Sequence, residues 1–113
     1  MATLVVQQIA RTGTLPTYAA AAAGGDAFAN DGKRFLHVKN ANVGAARTVT
    51  VASQVPAAAL PPGSAKADIA VVVAASSEKM IGPLDPAYFN DANGRVVVTY
   101  SSEADLTVAA LAL

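Results

Sequence analysis

The chain is short of the residues that most often carry chemistry. Its 113 residues include no cysteine, no tryptophan and one histidine, His37. Without cysteine it has no disulfide framework, no thiolate metal site and no cysteine nucleophile. A zinc site would have to combine His37 with carboxylates alone, an unusual ligand set. These absences argue against several classes of enzyme and metal protein.

Charge and long apolar runs are also scarce. Eight basic and eight acidic side chains leave no formal net charge, so we expect no nucleic-acid partner, which would need a basic surface. The longest apolar runs, residues 19–23 and 69–75, fall far short of the roughly 20 residues of a membrane-spanning helix. The N-terminus lacks an early positive charge and an apolar segment after it, so neither a secretory signal nor a membrane partner is expected.

Small and β-branched residues dominate what is there. Alanine accounts for 27 residues and valine for 14. Valine favours strands because its branched Cβ loses little freedom on a pleated surface, whereas alanine fits any element. A chain of this length folds around one core. The composition therefore predicts a single small all-β domain.

Apolar and polar residues alternate along much of the chain, which predicts about six to eight short strands. In the run 34–40, Phe35, His37 and Lys39 face one side of the sheet and Leu36 and Val38 the other. The strands are expected over residues 3–9, 34–40, 47–53, 69–75, 78–81, 95–101 and 106–113. This spacing favours an antiparallel β-sandwich, jelly-roll or Ig-like, or a small barrel.

Three expectations concern how these strands pair. Asn and Gly within residues 40–44 predict a hairpin between the strands 34–40 and 47–53. The last strand is expected to pair with residues 95–101 as a second hairpin. The continuous apolar run 69–75 is typical of a central strand that is covered on both faces.

The chain divides into an N-terminal arm or long loop, residues 1–33, and a β-sandwich domain, residues 34–113. Five consecutive alanines at 19–23 are too few to nucleate a helix unaided, so the arm is expected to be extended, with one helical turn at most. Residues 54–68 are rich in proline and alanine and predict a loop, because proline cannot donate to a strand ladder.

No catalytic constellation emerges from the motifs. His37 is interpreted as a structural histidine on a sheet face. Asp91, Asn93 and Gly94 match part of an EF-hand loop, but its other ligands and its final glutamate are missing. The serines lack a Gly-x-Ser-x-Gly elbow, and no glycine cluster has the context of a phosphate loop. We therefore expect no enzymatic activity, no cofactor and no metal.

Apolar and aromatic side chains on the predicted loops are candidate partner contacts, because such groups anchor interfaces. Two alternatives to a contact role stay open. The arm is simply a loop whose sequence is weakly constrained, and the aromatic pair Tyr88 and Phe89 covers one end of the core. The candidate residues are Leu15, Pro16, Tyr18 and Phe28 in the arm, and Pro83, Tyr88 and Phe89 in a second loop.

Three stretches of the chain also carry a family resemblance. They are residues 24–40 with the Thr-Val-Thr-Val strand at 48–51, residues 77–83 with Phe89-Asn-Asp, and residues 94–101 leading into 106–109. Together they resemble small β-rich proteins encoded in the structural modules of tailed bacteriophages, often near the major capsid gene. The resemblance covers most of residues 5–110, and its motifs are strand and turn patterns rather than catalytic signatures.

The resemblance implies a virion protein of the capsid decoration (cement) or minor capsid type. The implied location is the capsid surface and the implied partner is the major capsid protein. Because oligomers follow closed symmetry, self-association as a trimer at local three-fold axes is expected. Two other functions stay open: a head–tail connector or tail component, and a carbohydrate-binding adhesion module that displays Tyr88, Phe89 and Tyr100 as an exposed platform. A hydrolase is the least favoured.

Overall fold

A computed structural model describes residues 2–54 and 68–113, which form an all-β protein with two five-stranded sheets. The predicted proline-rich loop lies outside the described residues apart from its ends. In chain order the elements are β1 (Ala2–Thr3), β2 (Val6–Gln8), β3 (Ala19–Ala20), β4 (Asp26–Ala29), β5 (Arg34–Asn40), β6 (Arg47–Val51), β7 (Ile69–Val73), β8 (Ser77–Ile81), α1 (Pro86–Phe89), β9 (Arg95–Tyr100) and β10 (Leu106–Ala112).

The two sheets exchange strands along the chain. Sheet A has the order β1-β4-β9-β6-β7, and sheet B has the order β2-β10-β5-β8, with β3 also paired to β10. Most neighbours are antiparallel, but β1 runs parallel to β4 and β2 runs parallel to β10. Both sheets are therefore mixed, which corrects the expectation of purely antiparallel pairing. Side-chain alternation reports which face is buried and says nothing of strand direction.

One hydrophobic core takes side chains from both sheets. Leu36 and Val38 of β5 contribute from sheet B, and Val49 of β6 and Val96 and Val98 of β9 contribute from sheet A. All five are fully buried, and burying one such side chain stabilises a fold by about 1.5–3 kcal/mol. The predicted alternation over β5, β6 and β9 is confirmed.

Both predicted hairpins are wrong. The chain passes from β5 in sheet B to β6 in sheet A, so the Asn–Gly segment between them connects two sheets. Asn40 holds that crossing: its side-chain amide donates to the carbonyl oxygens of Ala45 and Val73 at 3.0 and 3.2 Å. The last strand, β10, pairs with β5 along its whole length and not with β9. Turn chemistry marks a reversal of the chain, and it does not determine which sheet the next strand joins.

The apolar run at 69–75 is an edge strand and not the central strand expected. β7 (Ile69–Val73) ends the order of sheet A and pairs only with β6 among the described strands. Ala70 is exposed and Val72 is 54% exposed. A run of small and β-branched residues fits a covered strand and an exposed edge equally well, so apolar content alone could not separate the two.

The N-terminal residues are built into both sheets, where the sequence predicted an extended arm or long loop over residues 1–33. Strands β1 and β4 belong to sheet A, and β2 and β3 belong to sheet B. No helical turn forms over residues 19–23. Leu4, between β1 and β2, is buried, while Val5 beside it is 82% exposed. Apart from the strand expected over residues 3–9, the sequence pattern indicates a loop here, because parallel pairing and two-residue strands leave little periodic signal.

Candidate contact surfaces

Residues 10–18, here called the strap, run from β2 to β3 beside sheet B. The side chain of Gln7 fixes the far end of the strap, since its amide donates to the Thr17 carbonyl at 2.7 Å and its oxygen accepts from the Thr17 backbone amide at 2.8 Å. Thr14 closes the near end by accepting from the Ala10 amide at 2.7 Å through its hydroxyl oxygen. These bonds give the strap a defined course although it has no regular secondary structure.

Tyr18 at the end of the strap packs onto the outer face of sheet B. Its hydroxyl lies 2.6 Å from His37 Nδ1, and the two rings meet edge to face with centroids 5.4 Å apart. On the other side of the imidazole, Nε2 lies 3.4 Å from a carboxylate oxygen of Glu78. The ammonium of Lys39 sits 4.1 Å above the Tyr18 ring, within the range of a cation–π contact.

The structural interpretation of His37 is supported by this arrangement. His37 is 5% exposed, and both ring nitrogens have a polar neighbour. With the ring hydrogen on Nε2, Tyr18 donates to Nδ1 and the Nε2–H points toward Glu78. The contacts of His37 with Tyr18 and Glu78 hold the strap against sheet B. Tyr18 is consequently half-buried, and its ring is engaged within the protein rather than free for a partner.

Leu15 and Pro16 lie at the tip of the strap. Leu15 is 94% exposed, the largest exposure among the described large apolar side chains, and Pro16 beside it is half-buried. A fully exposed leucine is unremarkable on a flexible loop. Here it stands between two hydrogen-bonded ends, so its backbone is positioned in the free protein.

The second predicted contact loop begins at the cis peptide bond between Gly82 and Pro83 and ends in the helical turn α1. Asp85 caps α1, because its side chain accepts from the Ala87 amide at 2.9 Å. Asn30, which follows β4, clamps the loop by donating to the Leu84 carbonyl at 3.0 Å and to the Asn90 side-chain oxygen at 2.8 Å. Leu84 is buried in the core, and its packing there also holds the loop in place.

The aromatic pair on α1 divides between surface and core. Tyr88 is 52% exposed, whereas Phe89 is partly buried and packs against the core. Pro83 is exposed. Tyr100 is turned inward and bonded to a buried carboxylate. Tyr88, Phe89 and Tyr100 therefore do not form the exposed platform that the carbohydrate-binding alternative requires.

Phe28 is not a contact residue. It lies on β4 with no exposed surface and belongs to the hydrophobic core. The prediction placed it on a surface arm because the strand around it, Asp-Ala-Phe-Ala, has one large apolar residue and shows no clear alternation. The candidate residues that remain at the surface, Leu15 and Pro16 on the strap and Pro83 and Tyr88 on the second loop, belong to two separate segments.

The sequence pattern did not reveal a polar pair on β4 and β9, which consists of the buried Asp26 and the partly buried Tyr100. Tyr100 of β9 donates its hydroxyl to Asp26 Oδ2 at 2.6 Å, and the Ala22 amide donates to the same oxygen at 3.2 Å. Asp26 has no exposed surface. Burial, together with the hydrogen bond to the Asp26 carboxylate and its negative charge, raises the pKa of the Tyr100 hydroxyl well above its ordinary value. The pair joins β4 to β9 beside the core, against which Tyr100 packs.

In the acidic turn at residues 91–94, the Asp91 carboxylate is hydrogen-bonded to backbone amides of the turn and of the residue after it. Asp91 Oδ1 accepts from the amides of Asn93 and Arg95 at 2.8 and 3.1 Å, which is a side-chain-capped turn. Over residues 2–54 and 68–113, no three metal-ligating side chains come together. Within the same ranges, no helix has the length and hydropathy to cross a membrane.

The outer face of sheet A is a further surface, and the sequence interpretation did not single it out. Cross-strand register places Thr48 and Thr50 of β6 beside Val72 and Ala70 of β7, with Thr99 of β9 on the other side of Thr50. None of the five carries a charge. The signal was the alternation of β6, whose threonines lie opposite Val49 and Val51. It indicated a polar outer face without showing that the neighbouring strands extend it.

Comparison with known proteins adds no assignment. No protein-family model matches the chain, and no curated protein or solved structure is significantly similar to it.

Proposed function

We propose that the protein is a non-enzymatic bacteriophage structural protein that binds the outside of the capsid shell and stabilises it. The family resemblance of residues 24–40, 77–83 and 94–101 supplies the class of partner. The observation that carries the proposal is Leu15, which is 94% exposed on a strap whose two ends are hydrogen-bonded in place. An apolar side chain on an already ordered backbone anchors a protein interface well, because less conformational entropy is lost when it binds.

The fold proposed with this function is a β-sandwich, which the single core shared by both sheets supports. The major capsid protein is the proposed partner. Decoration proteins that self-associate bind a shell through several copies at once, so an anchor of one leucine per copy contributes through avidity. The absence of net charge suits contact with a protein surface more than with packaged nucleic acid.

Deleting the arm would not test this proposal. Residues 15–30 contain β3, β4 and the buried Phe28, so their removal would disrupt the core itself. The sharper variant is Leu15→Ser. Its matched control is Val43→Ser, because Val43 is 88% exposed on a different loop. Binding is measured by co-sedimentation of the purified protein with capsids that lack it.

We expect Leu15→Ser to weaken capsid binding by about tenfold or more, as loss of an interface anchor does, and Val43→Ser to leave it unchanged. Equal binding by both variants and the parent protein would contradict the role of Leu15. We expect circular dichroism and thermal unfolding to show that both exposed substitutions leave the fold intact.

The class of structural protein is tested separately by the copy number in purified virions, measured by quantitative mass spectrometry against the major capsid protein. A decoration protein is expected at hundreds of copies per particle. A value of about six or twelve would instead indicate a ring at the neck or tail. Absence from the particle would refute both virion roles.

A further inference from the structure

Strand β7, at one edge of sheet A, has no charged residue and no proline within Ile69–Val73 to protect it. Strand β7 (Ile69–Val73) consists of one isoleucine, one alanine and three valines. Exposed edge strands normally carry lysine, proline or a bulge, because their free backbone groups otherwise pair with another chain. The edge strand β8 of sheet B follows that rule, with Glu78 and Lys79 exposed on it.

The hydrogen-bond pattern of β6 shows which backbone groups of β7 are free. The Thr48 carbonyl accepts from the Ser101 amide at 2.9 Å, so Thr48 faces β9. Neighbouring residues of an antiparallel strand bond to opposite sides, and Val49 and Val51 therefore face β7. Their register partners are Val71 and Ile69.

It follows that the N–H and C=O groups of Ala70 and Val72 point away from β6. Among the described residues, none pairs with these four groups, and both side chains are exposed. Within residues 2–54 and 68–113, the edge thus presents two unpaired donors and two unpaired acceptors, separated by Val71 alone.

From this geometry we propose that β7 is a homodimerisation edge, which pairs antiparallel with β7 of a second copy about a two-fold axis at Val71. In this register, Ala70 of one copy lies opposite Val72 of the other, and the two exchange both backbone hydrogen bonds. The two-fold repeats the exchange, so all four bonds form and no free group of Ala70 or Val72 is left over. The pairing goes beyond capsid binding and does not depend on it.

The occupant is a second copy because the edge is complementary to itself. The outward residues Ala70 and Val72 are separated by one residue. An antiparallel two-fold axis at Val71 places them opposite Val72 and Ala70 of the second copy. The strand carries no charge that would be brought against itself. Pairing would also join the uncharged outer faces of two A sheets, with Thr48 beside Val72 and Thr50 beside Ala70, into one continuous surface. An isologous contact of this kind closes as a dimer, in place of the trimer that capsid symmetry led us to expect.

The first test is sedimentation equilibrium of the full chain and of two variants. Val72→Pro removes an outward donor without taking a hydrogen bond from β6, and Val72→Lys adds the charge that other edges use. Each is expected to raise the dimer dissociation constant by at least about tenfold. Met80→Lys is the control, since Met80 is 64% exposed on β8, and it should leave dimerisation unchanged.

The second test traps the contact without relying on weakened variants. Because the chain contains no cysteine, Val71→Cys places the only thiol at the proposed axis, opposite its own copy. Oxidation is expected to give a covalent dimer several times faster than it does for Val43→Cys, although Val43 is 88% exposed. Equal or slower cross-linking at position 71 overturns the proposal. So does a wild-type chain that stays monomeric up to about 1 mM, or a dimer that only Met80→Lys disrupts.

Discussion

The hydrogen bond between the partly buried Tyr100 and the buried Asp26 allows a quantitative prediction. The Tyr100→Phe variant removes one hydroxyl and keeps the ring that packs against the core. It leaves Asp26, which has no exposed surface, with one hydrogen bond from Ala22 at 3.2 Å. Its other oxygen, Oδ1, already has no partner among the described residues.

A hydrogen bond to a charged group contributes about 1.5–3 kcal/mol, and a buried group left unpaired costs a similar amount. We therefore expect Tyr100→Phe to lower the free energy of unfolding by about 2 kcal/mol, measured by urea denaturation at neutral pH. Asp26→Asn keeps an acceptor for Tyr100 and should cost less. In the double variant Asp26→Asn/Tyr100→Phe the two effects should not add, because the residues act on one another directly.

The same pair predicts a loss of stability in alkali. The pKa of Tyr100 is raised in the folded protein by burial and by Asp26, whereas in the unfolded chain it returns to about 10. Above pH 10 the unfolded chain has lost the Tyr100 proton and the folded protein retains it. The unfolded state then binds fewer protons, so stability falls with pH by up to about 1.4 kcal/mol per unit.

Urea denaturation from pH 8 to 11 separates this contribution from other titrations. The stability difference between the parent protein and Tyr100→Phe should narrow as the pH rises above 10. Tyr88→Phe is the matched control, because it removes a hydroxyl from a tyrosine that is 52% exposed. Parallel pH profiles for the parent and Tyr100→Phe would refute the reasoning, as would a Tyr100→Phe variant as stable as the parent at neutral pH.

Two further predictions concern the backbone and the clamp of the second loop. Gly25 and Gly94 both have positive φ, but a Cβ at Gly25 would overlap the Val98 carbonyl oxygen, while one at Gly94 meets nothing within 4 Å. Thermal unfolding should therefore show Gly25→Ala to be far more destabilising than Gly94→Ala, whose cost is the ordinary backbone strain of about 1 kcal/mol. Equal losses of stability would contradict the overlap at Gly25. Asn30→Asp replaces the buried amide that donates to two oxygen atoms by a carboxylate that can only accept. Chemical denaturation should show the free energy of unfolding to fall by about 1–3 kcal/mol, whereas the control Asn93→Asp, at an exposed position, should leave it unchanged. An Asn30→Asp variant as stable as the parent would show that the clamp is dispensable.

Strand existence could be predicted from the sequence wherever one face is buried and the other is polar. The run 34–40 was expected as a strand and is β5, Arg34–Asn40. Its alternation also placed His37 on the face opposite Leu36 and Val38, as observed. The buried face of such a strand imposes a period of two on the sequence, so the pattern carries the information directly.

Pairing and edge position could not be predicted in the same way. The partner of β10 is β5, which lies 66 residues away at the register pair Leu106 and Asn40, and no local pattern encodes that distance. The Tyr100–Asp26 contact is equally non-local, since it joins residues 74 positions apart. Edge position depends on which strand is left without a neighbour, a property of the assembled sheet that the sequence of β7 does not carry.

The two proposed contacts lie on different parts of the molecule, and this makes them separable. Leu15 stands on the strap, which is fixed to sheet B through Gln7 and through Tyr18 on His37. The dimerisation edge is β7 of sheet A. Leu15→Ser should therefore leave dimerisation unchanged, and Val72→Lys should leave each copy able to bind a capsid through its own strap. If dimers bind capsids through two straps at once, Val72→Lys lowers the apparent affinity through lost avidity alone, whereas Leu15→Ser lowers it through the anchor itself.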